Sequence, residues 1–196
     1  MTDKSVLRQV LGSLMQKPQL LSEVDKYSLS VVDFSTRFEK YIFSAIMNLY
    51  CKGVSVIQPI DVANYLESDT VGNKLFENNH GIEYLQDIME FSSWENFPYY
   101  YEKLKKLNLI RDLQKQGFDT SDCYCDDLTK KDAEEINARF EKLTVTDICN
   151  GVKRKLLQLE SDYAQTGEIE EEKACDGIRD FINHMHTTIE IGAPLQ

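Results

Sequence analysis

The chain has 196 residues, 42% hydrophobic and 28% charged, and carries a formal net charge of −11. These proportions describe a folding chain rather than a disordered one, and nine glycines and four prolines are too few to punctuate a meander of short strands. The acidity argues against a domain that grips nucleic acid through its phosphates, which would need clustered Lys and Arg.

Helical periodicity begins at once. Val6, Val10 and Leu14, with Leu7 and Leu11 beside them, form an apolar stripe. Thr36-Arg-Phe-Glu39 has the spacing of a capping box and opens a second helix, with Phe38, Ile42, Ala45 and Leu49 inward and Gly53 as its stop. Pro59 suits the first turn of a short helix carrying Val62, Tyr65 and Leu66. Residues 68–80, SDTVGNKLFENNH, read as polar and turn-rich, and the short helical piece GIEYLQDIMEF follows. Pro98 starts the next helix, whose stripe is Tyr100, Leu104, Leu107 and Ile110 and continues to Leu113.

Composition changes near Gly117, where FDTSDCYCDDLTKKD reads as a break between a globular part and a second unit. Beyond it, Ala133, Ile136, Phe140 and Leu143 step by three and four. Thr144-Val-Thr-Asp147 marks a new helix start, and Val145, Ile148, Val152, Leu156 and Leu159 make its stripe. Two helices with so short a break are expected to form an antiparallel hairpin. After an acidic connector, AQTGEIEEEKA, a last short helix is expected around Ile178, Phe181, Ile182 and Met185, and IEIGAPLQ reads as extended. The fold class expected is all-α: a globular head over 1–118, a helical hairpin over 119–165, and a linker with a short helix over 166–196.

No stretch approaches the roughly 18 uncharged apolar residues of a membrane span. The opening MTDKSVLRQVLGSLMQ lacks the features of a signal peptide. Five cysteines in no framework-like spacing therefore read as reduced thiols of a cytoplasmic protein.

The chemistry-bearing motifs are few. No glycine precedes a lysine, so the sequence holds no G-x-x-x-x-G-K-[ST] phosphate loop, and no catalytic residue, cofactor site or metal site is assigned. Cys123-Tyr-Cys125 and His184-Met-His186 have the wrong spacing for common structural zinc sites. Cys149 reads as a small core residue, and His80 as a turn or cap. A Cys-dependent enzyme would need a Cys/His pair, and none is visible. Lys153-Arg-Lys155 and Lys103/Lys105/Lys106 read as solvated faces. The hairpin stripes differ, because a two-helix hairpin cannot bury its own apolar faces well. A neighbour is needed, either the head or a second copy.

Several stretches together resemble the N-terminal domain of DnaB-type replicative DNA helicases. Gln9-Val-Leu-Gly-Ser-Leu-Met15 is similar to that family's opening VLGxLM helix, and Asp33-Phe-Ser-Thr-Arg37 with Ile42-Phe43 to its DFY…H…IF stretch. Pro59-Ile-Asp61 with Val62 to Glu67 resembles the PID…L…L helix, Ile82-Glu-Tyr-Leu85 the YL that follows, and Tyr100 to Gly117 the next helix. The resemblance is good from about residue 6 to 118 and architectural to about 160. Phe38-Glu-Lys40 lacks the basic and histidine residues often found there, and the cysteine-bearing loop and the segment 171–186 have no obvious counterpart. Those departures point to a divergent, phage-encoded member, and Ile191-Gly-Ala-Pro194 falls where the family's linker enters the motor.

The resemblance implies a collar domain that assembles as dimers, or as a hexamer built as a trimer of dimers. It docks a DnaG-type primase and influences a helicase loader. ATP and Mg would belong to a motor domain outside this chain, and neither DNA nor membrane is a partner of this domain. The interface expected is the hairpin surface: Ile136, Phe140 and Leu143 on one arm, Ile148, Val152, Leu156 and Leu159 on the other. The competing reading is a stand-alone helical adaptor, such as a phage helicase-loading or inhibitory protein.

Overall fold

The computed structural model describes residues 3–127 and 129–164. Eight α-helices and three short 3-10 turns account for the regular structure of these residues, which include no strand. None of the helices is long and apolar enough to cross a membrane. The chain divides into two compact units, Met1–Cys149 and Asn150–Gln196.

The first unit is organised around α1 (Lys4–Gln16), which packs on α2 (Arg37–Cys51), α5 (Gly81–Phe91) and α6 (Phe97–Lys115). Enclosed on several sides, α1 buries more than one stripe: Val6, Leu7, Val10, Leu11, Leu14 and Met15 are all core residues. Its start is fixed by Asp3, whose carboxylate accepts from the Ser5 and Val6 amides at 2.9 and 3.4 Å. Gly12 is required where α1 meets α5, because a Cβ there would collide with the Ile88 carbonyl and the Ser92 side chain.

One polar edge of α1 closes the end of α5. Gln9, Ser13 and Gln16 follow the helical spacing of four and three. Gln9 Nε2 donates to the Phe91 carbonyl at 2.8 Å, and Ser13 Oγ to the Ser93 carbonyl at 3.2 Å. Gln16 Nε2 donates to the Met89 and Ser92 carbonyls, each at 2.9 Å, and its Oε1 accepts from the Trp94 amide at 3.2 Å. Carbonyls that a helix end leaves without partners are thus met by a neighbouring helix.

The capping box expected at α2 is present: Glu39 N–H donates to Thr36 Oγ1 at 3.2 Å, and Thr36 N–H to the Glu39 carboxylate at 3.0 Å. Gly53 ends α2 at φ +88°, and Pro59 opens α3 (Pro59–Glu67). The segment 68–80, expected as turns, instead holds α4 (Thr70–Asn78). Asp69 starts this helix by accepting from the Val71 and Gly72 amides at 3.0 Å each, and Phe76 anchors it in the core. Two buried aromatic side chains, one on the approach to α2 and one within it, stack face to face: the Phe34 and Phe43 centroids lie 4.6 Å apart. Burial holds the Tyr84 phenol of α5 up at about 12, with the Glu39 charge adding to the rise and Arg8 opposing it.

Lys103, Lys105 and Lys106 of α6 are not a solvated face. Lys105 Nζ pairs with both carboxylate oxygens of buried Asp33, at 2.8 and 2.9 Å, and Asn108 Nδ2 donates to the same residue's carbonyl and side chain. Lys103 and Lys106 reach α7 (Ala133–Lys142). Lysine stems lie along apolar surface while their ammonium groups find partners at its edge, which a charge run in sequence does not reveal.

Candidate interaction surface

Residues 116–127 and 129–132 are irregular and lie between α6 and α7. The Asn137 side chain braces it from α7, accepting from the Cys125 amide at 3.0 Å and donating to the Cys125 carbonyl at 2.8 Å. Cys125 is buried, and its Sγ contacts the Asp127 carbonyl oxygen at 3.4 Å. Among the described residues, no three His, Cys, Asp or Glu side chains come together as metal ligands. The pair His184 and His186 and the helix expected around Ile178, Phe181, Ile182 and Met185 lie outside the described residues.

The C-terminal turn of α7 is clipped to α6. Phe140 is fully buried, with Tyr124 edge-on at 4.8 Å between centroids. Lys106, itself only 3% exposed, donates from Nζ to the Phe140 and Glu141 carbonyls at 3.2 Å each. A cation therefore lies at the negative end of the helix, sharing the Phe140 carbonyl with the Leu143 amide. Outside it, Lys103 Nζ pairs with Glu141 at 2.7 Å, and the Tyr99 hydroxyl bonds the same carboxylate at 3.2 Å. Burial pulls the Lys103 pKa down, but the hydrogen bond and charge of Glu141 outweigh it, and the net shift is upward.

Leu143 and Thr144 alone separate α7 from α8 (Val145–Ala164). Leu143 is extended, and Thr144 restarts the helix with a capping box of its own: Asp147 N–H donates to Thr144 Oγ1 at 3.1 Å and Thr144 N–H to the Asp147 carboxylate at 2.9 Å.

The seven residues singled out on these two helices fall into different environments. Phe140 and Ile148 are buried in the core of the first unit, 0% and 1% exposed. Ile136, Leu143 and Val152 are half-buried. Leu156 and Leu159 are exposed, at 48% and 52%.

The exposed residues belong to a longer line. Val145, Cys149, Val152, Leu156, Leu159 and Tyr163 alternate steps of four and three, the heptad seam with which one helix meets another. Ile148 lies at the edge of the same helix face, near its N-terminal end, and there it is buried in the core of the first unit. Tyr163, 78% exposed, was missed in the sequence because the stripe was followed only to Leu159. One more step of four would have found it.

Comparison with known proteins gives two matches. Residues 5–106 match the family described as the DnaB-like helicase N terminal domain. The chain is also similar to the SPbeta prophage-derived uncharacterized protein YorI of Bacillus subtilis (strain 168), with 31% identity over 194 residues. That alignment covers 98% of this chain and 38% of the relative, so the chain spans well under half of the relative's length. The family match begins in α1, runs through the Gly12 contact and the α2 capping box, and ends inside α6. The chain belongs to the family of DnaB-like helicase N-terminal domains.

Proposed function

We propose that this chain is an assembly and docking domain of a replicative helicase, a collar element that joins copies of itself and presents a surface to other replication proteins. The observation that carries this reading is the exposed heptad line on α8. Leu156 and Leu159 are large apolar side chains in water, at the spacing a partner helix would cover. Burying each would contribute about 1.5–3 kcal/mol. A second copy meeting the same line gives an isologous dimer, and three such dimers a hexameric collar.

On this reading α7 and α8 are the arms of a hairpin that turns at Leu143-Thr144 and is rooted in the head through Phe140 and Ile148. The net charge of −11 leaves phosphate contacts, ATP and Mg to a motor domain elsewhere in the machine. A DnaG-type primase and a helicase loader are the docking partners, and the setting is the cytoplasm.

Sedimentation velocity across a concentration series tests the proposal. An even-numbered oligomer that dissociates in Leu156→Asp/Leu159→Asp supports it. A wild-type chain that stays monomeric at the highest concentration overturns self-association through this seam.

A further inference from the structure

The first unit carries a second surface, far from α7 in sequence. Between α2, α3 and the start of α4 lies a cleft of about 360 Å³. Its lining includes Leu66, 2% exposed, with Tyr41 and Tyr65 half-buried beside it. Val31, 41% exposed, also lines it.

The polar groups of the cleft are unevenly signed. Arg37 and Lys40 both line it, and neither makes an ion pair among the described residues. Both sit in the opening turns of α2, where the helix end is already positive and a cation is disfavoured. Arg37 lies 5.8 Å from the Tyr41 ring and Lys52 5.0 Å from the Tyr65 ring, so a cation accompanies each aromatic side chain. The two nearby carboxylates are held by helix starts: Asp69 accepts from two amides of α4, and Glu39 from the Thr36 amide. Each answers the positive end of its own helix, and neither forms an ion pair with Arg37 or Lys40 among the described residues.

A cation pair placed against the dipole of its own helix, beside an apolar cleft, in a protein of charge −11, has no evident role in holding the fold. We propose that this cleft docks a short acidic segment of a partner protein. The segment's carboxylates would meet Arg37 and Lys40, and one of its apolar side chains would enter between Tyr41 and Tyr65 over Leu66. Arg suits such a site because its planar guanidinium bonds a carboxylate through two donors. This surface is independent of the α8 seam, and either can fail without the other.

The test is fluorescence anisotropy with a labelled short peptide of Asp and Glu residues around a central Leu-Phe pair. Two control peptides accompany it, one with the acids replaced by lysine and one with Leu-Phe replaced by Ser-Ser. Saturable binding of the acidic apolar peptide is expected, weakening as salt is raised, with little binding of either control. Arg37→Glu/Lys40→Glu should lose roughly tenfold or more in affinity. Both side chains can be changed without opening the core, and circular dichroism verifies the fold. The charge-matched pair Lys4→Glu/Lys130→Glu should keep the affinity.

Equal loss in that control would mean general attraction to charge and overturns the proposal. So would no saturable binding to the wild-type chain, or binding untouched by the Arg37/Lys40 reversal. If the wild-type chain is an oligomer that Arg37→Glu/Lys40→Glu dissociates, the cleft belongs to a second copy and the acidic-partner reading is wrong.

Discussion

Lys106 holds Phe140 at two points: its ammonium donates to the Phe140 carbonyl at 3.2 Å and lies 5.1 Å from the centroid of the Phe140 ring. This link between α6 and α7 fixes where α7 ends, and with it where α8 begins. Replacing Lys106 with Met keeps most of the stem and removes the donor. The Phe140 and Glu141 carbonyls then lose a buried partner, at a cost of about 1–3 kcal/mol. Urea denaturation should show the lower midpoint, and hydrogen exchange should show faster opening in α7. An unchanged midpoint with unchanged exchange would mean that the clip contributes nothing.

Phe140 and Leu156 were read as one kind of residue in the sequence, and the structure separates their predicted behaviour. Phe140→Asp places a charge in the core and should prevent cooperative folding of the first unit, since an unpaired buried charge is among the costliest substitutions. Leu156→Asp alters an exposed side chain and should leave the thermal transition of the first unit within a few degrees of wild type. Differential scanning calorimetry of the two variants makes the comparison, and similar transitions for both would contradict the burial difference.

Gly12 gives a steric prediction. Gly12→Ala improves helix propensity by nearly 1 kcal/mol, yet its methyl group would meet the Ile88 carbonyl and Ser92. Overpacking of that kind costs typically about 1–3 kcal/mol, and backbone yields less readily than a side-chain tip. The variant should be less stable than wild type by chemical denaturation. A more stable Gly12→Ala would show that α1 and α5 can separate freely.

Tyr84 sets a pH dependence in the alkaline range. Its phenol titrates near 10 when unfolded and at about 12 when folded. Between those values the unfolded chain loses its proton while the folded one keeps it, so this contribution is complete below pH 10 and disappears as pH rises to 12. The difference corresponds to at most roughly 2–3 kcal/mol. Wild type should therefore lose more stability than Tyr84→Phe over that interval. Parallel curves for the two proteins would show that Tyr84 ionises alike in both states.

Much of the fold was legible because its punctuation is local. Thr36 and Glu39 announce the start of α2 within four residues, Gly53 its end, and Thr144 with Asp147 the restart at α8. Helix α4 was hidden because Gly72 and two asparagines dilute a pattern that depends on Phe76 finding a long-range partner. Lys103, Lys105 and Lys106 were opaque for a similar reason: Glu141 and Asp33 are far away in sequence. The heptad spacing on α8 showed an apolar face but not what covers it, so Ile148 in the core and Leu159 in water read alike. The cleft at Arg37 and Lys40 is assembled from three helices and has no local signature at all.

The polar edge of α1 also sets an order of events during synthesis. Gln9, Ser13 and Gln16 find their partners at residues 89–94, so the ribosome makes this helix long before the groups that satisfy it. Its broad apolar sides also wait, first for α5 and then for α6. A nascent chain that has reached only α4 therefore leaves these faces of α1 without their partners, and a chaperone can bind them until α5 and α6 emerge.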